Sequence, residues 1–321
     1  MNLVDLAQHF SDEDKAREFL EKQRWPEGPV CPHCGLVGEA YKLTPRPGTK
    51  THVRKGVWKC ASCRKEFTVT VGTIFEDSHI PLHKWLLAYH LLCASKKGMS
   101  AHQLHRMLGI TYKSAWFMAH RIRYTMSQEP LSSKLSGIIE MDETFVGGKL
   151  RIGPQSTKPG ERPKDRVAAT ANKASVVSVL QRNGRVQSMH MQRVTAETLR
   201  PVIDEMIAED AHVMTDTASV VRGLGKIRKH SQVNHDAKEY ARYEDGVCIT
   251  TNAVEGYFAN LKRGINGVYH HVGKRHLHRY LSEFDFRYNS RKIKDGERAL
   301  MAVKGANGKR LMLRDSSANA G

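Results

Sequence analysis

Long apolar runs are missing from this sequence. Nowhere do the roughly 20 consecutive apolar residues of a membrane-spanning helix occur, and no charged-then-apolar leader opens it. A cytosolic chain with no membrane partner is expected. Cysteine is scarce, six in 321 residues, which excludes a disulfide-stapled scaffold. Acids are the minority charge, 33 Asp and Glu against 51 Lys and Arg, leaving a net charge of +18. A field of that sign favours a polyanionic partner, with nucleic acid the first candidate. Internal repeats and low-complexity tracts are also absent, and a chain of this length is expected to fold as two or more compact units.

Four of the cysteines are arranged as two CxxC pairs, Cys31-Pro-His-Cys34 and Cys60-Ala-Ser-Cys63. A CxxC turn places both sulfurs on one side, so two such pairs wrap one tetrahedral Zn²⁺ in four thiolates. This zinc is expected to be structural, with no open coordination position, and His33 inside the first pair is surplus. So small and polar a segment has little core without metal. Cys93 and Cys248 lie in or beside apolar runs and read as small buried hydrophobes.

Local patterns order the rest. FSDEDKAREFLEKQRWPEG reads as an amphipathic helix capped by Ser11 and stopped at Pro26-Glu27-Gly28. The β-prone run EFTVTVGTIF after the second cysteine pair suits a hairpin-built zinc ribbon. From Pro81 the texture is helical. SAHQLHRMLGITYKSAWFMAHRIRYTM gives a helix from Ser100, a break at Gly109, and a second helix carrying Lys113, Arg121 and Arg123. Helix, short glycine-containing turn, helix is a DNA-binding layout, so these three cations are candidate DNA contacts, although a plain αα-hairpin has the same pattern.

Beyond SQEPLSSKLSG, strands alternate with helices. GIIEMDETFVGG reads as a strand, followed by a basic loop from Lys149 to Lys173 that includes Arg151 and is expected to meet the DNA backbone. Asn183-Gly184 marks a hairpin. TAETLRPVIDEMIAED reads as a helix, AHVMTD as a strand, TASVVRGL as a short helix and RKHSQVNH as another strand. Helices at TTNAVEGYFANLKRG and HLHRYLSEFDFRYNSRK follow, and the C-terminal tail, placed from 296 to 321 and including the run from GANGKR to SSANAG, is expected to be disordered. His270, His271, His276 and His278 show no ligand spacing and read as DNA-facing or surface residues.

Three acids are out of place. Asp142 lies in a strand among Ile138, Ile139, Met141 and Phe145, where an ionised carboxylate is costly without a cation or hydrogen bonds. Glu140 shares its face by strand alternation. Asp216 closes the strand HVMTD, a position that an ordinary helix cap also explains. Glu255 sits on the helix whose apolar stripe is Val254, Phe258, Leu261 and Ile265; Asn252, Glu255 and Lys262 share the stripe beside it. Two acids from strands and one from a later helix provide the hard oxygens that hold Mg²⁺ ions about 3.5 to 4 Å apart for phosphoryl transfer.

DETFVGGK, MTDTA, and NAVEGYFANLKRGINGVYHH followed by HLHRYLSEFDFRYN resemble the catalytic core of DDE transposases of bacterial insertion sequences, in the branch with an N-terminal zinc ribbon. RWPEGPVCPHCG and VTVGTIFEDSHIPLHKWLLA resemble that branch's ribbon and the segment after it, so the resemblance runs from about Arg24 to Asn289. It implies an α/β, RNase H-like catalytic core, a mixed five-stranded sheet with flanking helices, preceded by a zinc ribbon and a helix-turn-helix-like domain. The expected boundaries are 1–78 for the N-terminal helix and ribbon, 79–130 for the helical domain, 131–295 for the core and 296–321 for the tail.

The resemblance further implies that Asp142, Asp216 and a third residue bind two catalytic Mg²⁺ or Mn²⁺ ions. Water would cleave a strand at the ends of a mobile element, and the freed 3′-hydroxyl would be joined to target DNA. The branch places Glu or Asn at the third position, and both occur here. Glu255 is favoured because a carboxylate binds Mg²⁺ more strongly than an amide, and Asn252 is retained as an additional or alternative ligand. Lys262 would meet the phosphate near the scissile bond, with Arg263 a further DNA contact. Synapsis of two ends implies a homo-oligomer, and the expected location is the cytoplasm, on the nucleoid. A non-catalytic DNA-binding regulator and an RNase H-fold nuclease without strand transfer are the competing functions.

Overall fold

The computed structural model describes residues 3–10, 12–44, 54–127, 133–148, 173–217, 224–226 and 228–313. They fall into two compact units, Met1–Ser127 with Lys292–Gly321, and Gln128–Arg291.

The first unit opens with α1 (Leu3–His9) and α2 (Glu13–Arg24). Asp12 caps α2 by accepting from the Lys15 amide at 2.8 Å; Ser11, the expected cap, lies outside the described residues. Three short strands, β1 (Ala40–Lys42), β2 (Trp58–Cys60) and β3 (Glu66–Phe67), make an antiparallel ribbon. Trp25 at the end of α2 packs edge-on against Trp58 and Phe67, giving the ribbon a small aromatic core. The β-prone run EFTVTVGTIF departs from expectation after Phe67. Consecutive turns replace a long strand, and Val69, Ile74 and Phe75 are buried as anchors.

Helices α3 (Leu82–Ala94), α4 (Ala101–Leu108) and α5 (Tyr112–Met126) follow. Ser100 caps α4, Gly109 ends it at φ 58° in the left-handed region, and Thr111 caps α5 by accepting from the Ser114 amide. Three residues therefore turn the chain between the two helices. Trp85, Tyr89, Leu104, Met118 and Ile122 are fully buried among them.

Two expectations fail in this unit. The residues expected to form a disordered tail from 296 instead continue a helix, here named α9 (Asp295–Lys304), that buries Ala299, Ala302 and Val303, and Leu311 is buried beyond it. Arg121 and Arg123, expected on DNA, are buried. The Arg121 guanidinium donates to the carbonyls of Leu311 (3.0 Å), Ile74 (2.7 Å) and Glu76 (3.1 Å). Its charge ties the C-terminal segment to the turns after the ribbon and is spent inside the protein. Lys113 is exposed in the first turn of α5.

The second unit is a five-stranded mixed sheet in the order β6-β5-β4-β7-β8. It comprises β4 (Ile138–Val146), β5 (Ala174–Gln181), β6 (Val186–Met191), β7 (His212–Asp216) and β8 (His230–Val233). β4, β5 and β6 run antiparallel, with Asn183 at φ 62° in the hairpin turn, while β7 and β8 join parallel. This is the RNase H-like arrangement. Helix α6 (Ala196–Met206) covers one face through Leu199 and Ile203. Helices α7 (Asn252–Gly264) and α8 (Leu277–Asn289) cover the other through Val254, Phe258, Leu261, Leu277 and Phe284. A small hairpin, β9 (Arg242–Glu244) and β10 (Val247–Ile249), precedes α7.

The outer strand β6 is closed by side chains of α8. Asn289 accepts from the Val186 amide at 2.7 Å and donates to its carbonyl at 2.9 Å, and Asp285 accepts from the Ser188 amide at 2.8 Å. Burial pushes the Asp285 carboxyl up to about 6, against the hydrogen bonds it accepts from Tyr257 and Ser188. His276, expected at the surface, is buried at the start of α8, whereas His270, His271 and His278 are exposed.

Arg121→Met should lower stability by about 1–3 kcal/mol, because two buried carbonyls and a part-buried one lose their donor, and leave the salt dependence of DNA binding unchanged. Melting curves and a salt titration of binding to duplex DNA check both parts.

Candidate active site and zinc centre

The four ribbon cysteines converge. Cys31 and Cys63 sulfurs stand 3.6 Å apart, as do those of Cys34 and Cys60. Four sulfurs at about 2.3 Å from one tetrahedral Zn²⁺ would be about 3.8 Å apart, so the spacing fits the ion. All four are free thiols. Burial opposes ionisation of Cys31, but the backbone N–H groups of His33 and Cys34 and the neighbouring sulfurs outweigh it and bring the thiol down to about 6. Among the described residues this is the one group of three or more His, Cys, Asp or Glu ligand atoms lying within 4.8 Å of one another.

The acids come together by sheet register. β4 and β7 are parallel, with Ile138 beside His212 and Glu140 beside Met214. Two residues further along, Asp142 comes level with Asp216 on the same face. Helix α7 packs over that face and brings Glu255. Asp142 records the result: burial first, and then the charges of Asp216, Glu255 and Glu143, push its carboxyl up to about 6, although it accepts from the Glu143 amide at 2.7 Å. Glu143 is raised too, by burial and by Asp216. Asp142, Asp216 and Glu255 do not form a group of ligand atoms all within 4.8 Å of one another, as the sulfurs do.

Glu255 is oriented by two neighbours. Thr251 Oγ1 donates to its Oε1 at 2.9 Å, and His235 Nε2 lies 3.2 Å from the same oxygen and 3.2 Å from Thr251 Oγ1. Asn252, Glu255, Lys262 and Arg263 are all exposed on α7, opposite its buried stripe of Val254, Tyr257, Phe258, Leu261 and Ile265. Both candidates for the third ligand therefore present themselves outside the core.

Glu140 differs from the acids beside it. It is fully buried, its Oε2 accepts from the amides of Ala253 (2.7 Å) and Val254 (3.1 Å), and its Oε1 pairs with Arg182 at 2.8 Å. Every oxygen is occupied by protein donors, so it supports the site from beneath. Lys149 and Arg151, with most of the basic loop, lie outside the described residues, as does most of the expected helix TASVVRGL.

Sequence reasoning missed His235, Thr251 and Arg182. VNHD carries no ligand spacing, Thr251 looks like an ordinary helix cap, and Arg182 looks like a turn cation beside Asn183-Gly184. The nearest usable signal was the density of hydroxyl and polar residues in ITTN directly before α7.

A mixed five-stranded sheet with an acid on each of two parallel neighbours and a third on the covering helix is the layout of a DDE-type core. Comparison with known families agrees: the ISXO2-like transposase domain matches residues 134–289, and the transposase zinc-ribbon domain matches residues 11–66. The chain thus carries the transposase domain and the zinc ribbon of an insertion-sequence family, which support a DNA transposase role, an enzyme of the nuclease or transposase kind, and DNA binding. It is 24% identical over 310 residues, 92% of this chain and 96% of the relative, to an uncharacterized protein in transposable element ISH50 of Halobacterium salinarum (strain ATCC 700922 / JCM 11081 / NRC-1). No solved structure matches. No helix among the described residues is long and apolar enough to cross a membrane.

Two outcomes follow. Elemental analysis should find one zinc per chain, lost in Cys60→Ser, with new proteolytic cleavage between residues 31 and 63. Asp142 binds its proton more tightly folded than unfolded, so its charge costs stability above pH 6, less as pH falls towards 4, and nothing below that. Asp142→Asn should therefore raise the melting temperature at pH 7.5 in buffer lacking added divalent ions. The gain corresponds to on the order of 1–2 kcal/mol and should shrink by pH 5.

Proposed function

We propose that this chain cleaves DNA at the ends of a mobile element and joins the freed 3′-hydroxyls to target DNA, using two divalent ions held by Asp142, Asp216 and Glu255. The observation carrying this reading is the charge crowding at Asp142, where acids from β4, β7 and α7 act on one carboxyl. Hard oxygens of like charge brought near one another are the donor set that Mg²⁺ or Mn²⁺ fits. Bound there, the ions would supply the charge clamp on attacking and leaving oxygens of an in-line displacement.

The chain's own residues then have separate duties. Asp142 offers oxygens from the middle of β4 and Asp216 from the carboxyl end of the neighbouring parallel strand β7. Glu255 offers the third from α7, with Thr251 and His235 fixing the direction of Oε1. Its charge acts on Asp142, and as a carboxylate it binds Mg²⁺ more strongly than the Asn252 amide, so it is taken as the main third ligand. Asn252, three residues earlier and also exposed, is placed to add a neutral oxygen. Lys262, seven residues beyond Glu255 on the same stripe, holds a DNA phosphate, with Arg263 beside it. Lys113 on α5 and the basic loop that includes Lys149 and Arg151 add contacts to the DNA backbone. Two such ends act together in a homo-oligomeric synaptic complex.

The test uses a plasmid carrying the sequences that flank the gene. Asp142→Asn and Asp216→Asn should each reduce Mg²⁺-dependent cleavage and joining by at least about a hundredfold, the loss of several kcal/mol of charge stabilisation, with DNA binding retained. Unimpaired cleavage would overturn the reading, and cleavage without joining would assign a nuclease instead. Lys262→Ala should lower the slope of log affinity against log salt by about one.

A further inference from the structure

We propose that Glu140 and Arg182 form a positioning pair that sets the height and rotation of α7 and so determines where Glu255 and Asn252 stand relative to Asp142 and Asp216. The proposal rests on the metal-site reading above. Helix α7 begins without a cap from its own N-cap residue, since the Thr251 side chain makes no capping bond. A buried helix end left that way strands amide donors. Here they are taken by Glu140, 113 residues earlier in the chain, through the Ala253 and Val254 amides. The borrowed cap leaves the Thr251 hydroxyl available for Glu255 Oε1.

Arg182 completes the arrangement. Its Nε and Nη2 reach Glu140 Oε1 at 2.9 and 2.8 Å, Nη1 donates to the Cys248 carbonyl at 2.8 Å, and Nη2 reaches the Thr250 carbonyl at 3.3 Å. One guanidinium thus joins the hairpin after β5, strand β10, the lead-in to α7 and strand β4. The pair's place in the sheet gives it leverage. Glu140 is level with Met214, and the Arg182 Nη2 lies 3.2 Å from Met214 Sδ. Asp142 and Asp216 form the next layer on the same two strands. The acids from the sheet and the acid from the helix therefore share one support immediately beneath them. A carboxylate buried with all its oxygens committed cannot shift without breaking a charge-assisted bond, so the first turn of α7 is fixed to the strand that carries Asp142.

The experiment uses the zinc-loaded full chain and Mn²⁺ alone as the probe, measured by calorimetry beside melting curves. Glu140→Gln keeps an acceptor for the helix amides but loses the charge that holds Arg182, and Arg182→Lys keeps charge but loses the fork. Each should weaken Mn²⁺ binding by about tenfold or more while the protein is folded at the assay temperature. The double variant should be little worse than the weaker single, because the two act as one unit. A purely structural clasp would instead lower the melting temperature and leave Mn²⁺ affinity of the folded protein unchanged; that result in both variants overturns the proposal. Should Glu140→Gln fail to fold, Arg182→Lys decides alone. Asp142→Asn separates the two levels: if it binds Mn²⁺ as well as the unaltered chain, the metal-site reading falls and this proposal with it.

Discussion

Electrostatic crowding at Asp142 is the constraint around which the second unit is organised. Its carboxyl lies on a strand face covered by a helix and feels Asp216 and Glu255, so burial and like charge both work against ionisation. Left alone, such a cluster would relax by protonation or by swinging its side chains outward. The surrounding fold limits the second escape. Asp142 is held on a nine-residue strand paired along its length with β5, and Glu255 is tethered through Thr251 and His235. What remains is an accumulation of negative charge, the kind of setting in which hard divalent cations bind.

The buried carboxylates elsewhere in this unit make a useful contrast with half-buried Asp142. Glu140 has Arg182 and two helix amides, Asp285 has Ser188 and Tyr257, and Glu283 pairs with Arg287 and accepts from Tyr269. Each is compensated by protein donors, as buried polar groups must be. Asp142 has a single backbone donor against three acidic neighbours. The difference separates structural acids from the candidate catalytic ones without appeal to position in the sequence.

How much of this was legible beforehand follows from the reach of each interaction. The zinc ligands were readable because CxxC geometry is local, and the strand acids because an ionisable group among Ile138, Ile139 and Met141 is anomalous on sight. Most strands and helices of the core, including the Asn183-Gly184 hairpin, were equally local, whereas the β9–β10 hairpin lay hidden in and beside a stretch that read only as polar. The clasp beneath the site was not, since Glu140 meets Arg182 and Ala253 across 42 and 113 residues. Arg121 and Arg123 misled because a cation on a helix beside a turn looks solvent-exposed until the C-terminal segment that covers it is known. That segment was itself misread: its small apolar residues Ala299, Ala302 and Val303 carry little hydrophobic signal, yet they suit close helix packing.

The four-cysteine ribbon and the proposed acid site differ in chemistry, soft thiolates suited to a closed structural zinc and hard carboxylates suited to the catalytic ions proposed above. The central claim concerns the second, and an anomalous difference map from crystals grown with Mn²⁺ tests it most directly. The account predicts density between Asp142 and Asp216, with Glu255 oxygen in the coordination shell. Manganese bound elsewhere, or none within reach of Asp142 and Asp216, would contradict it.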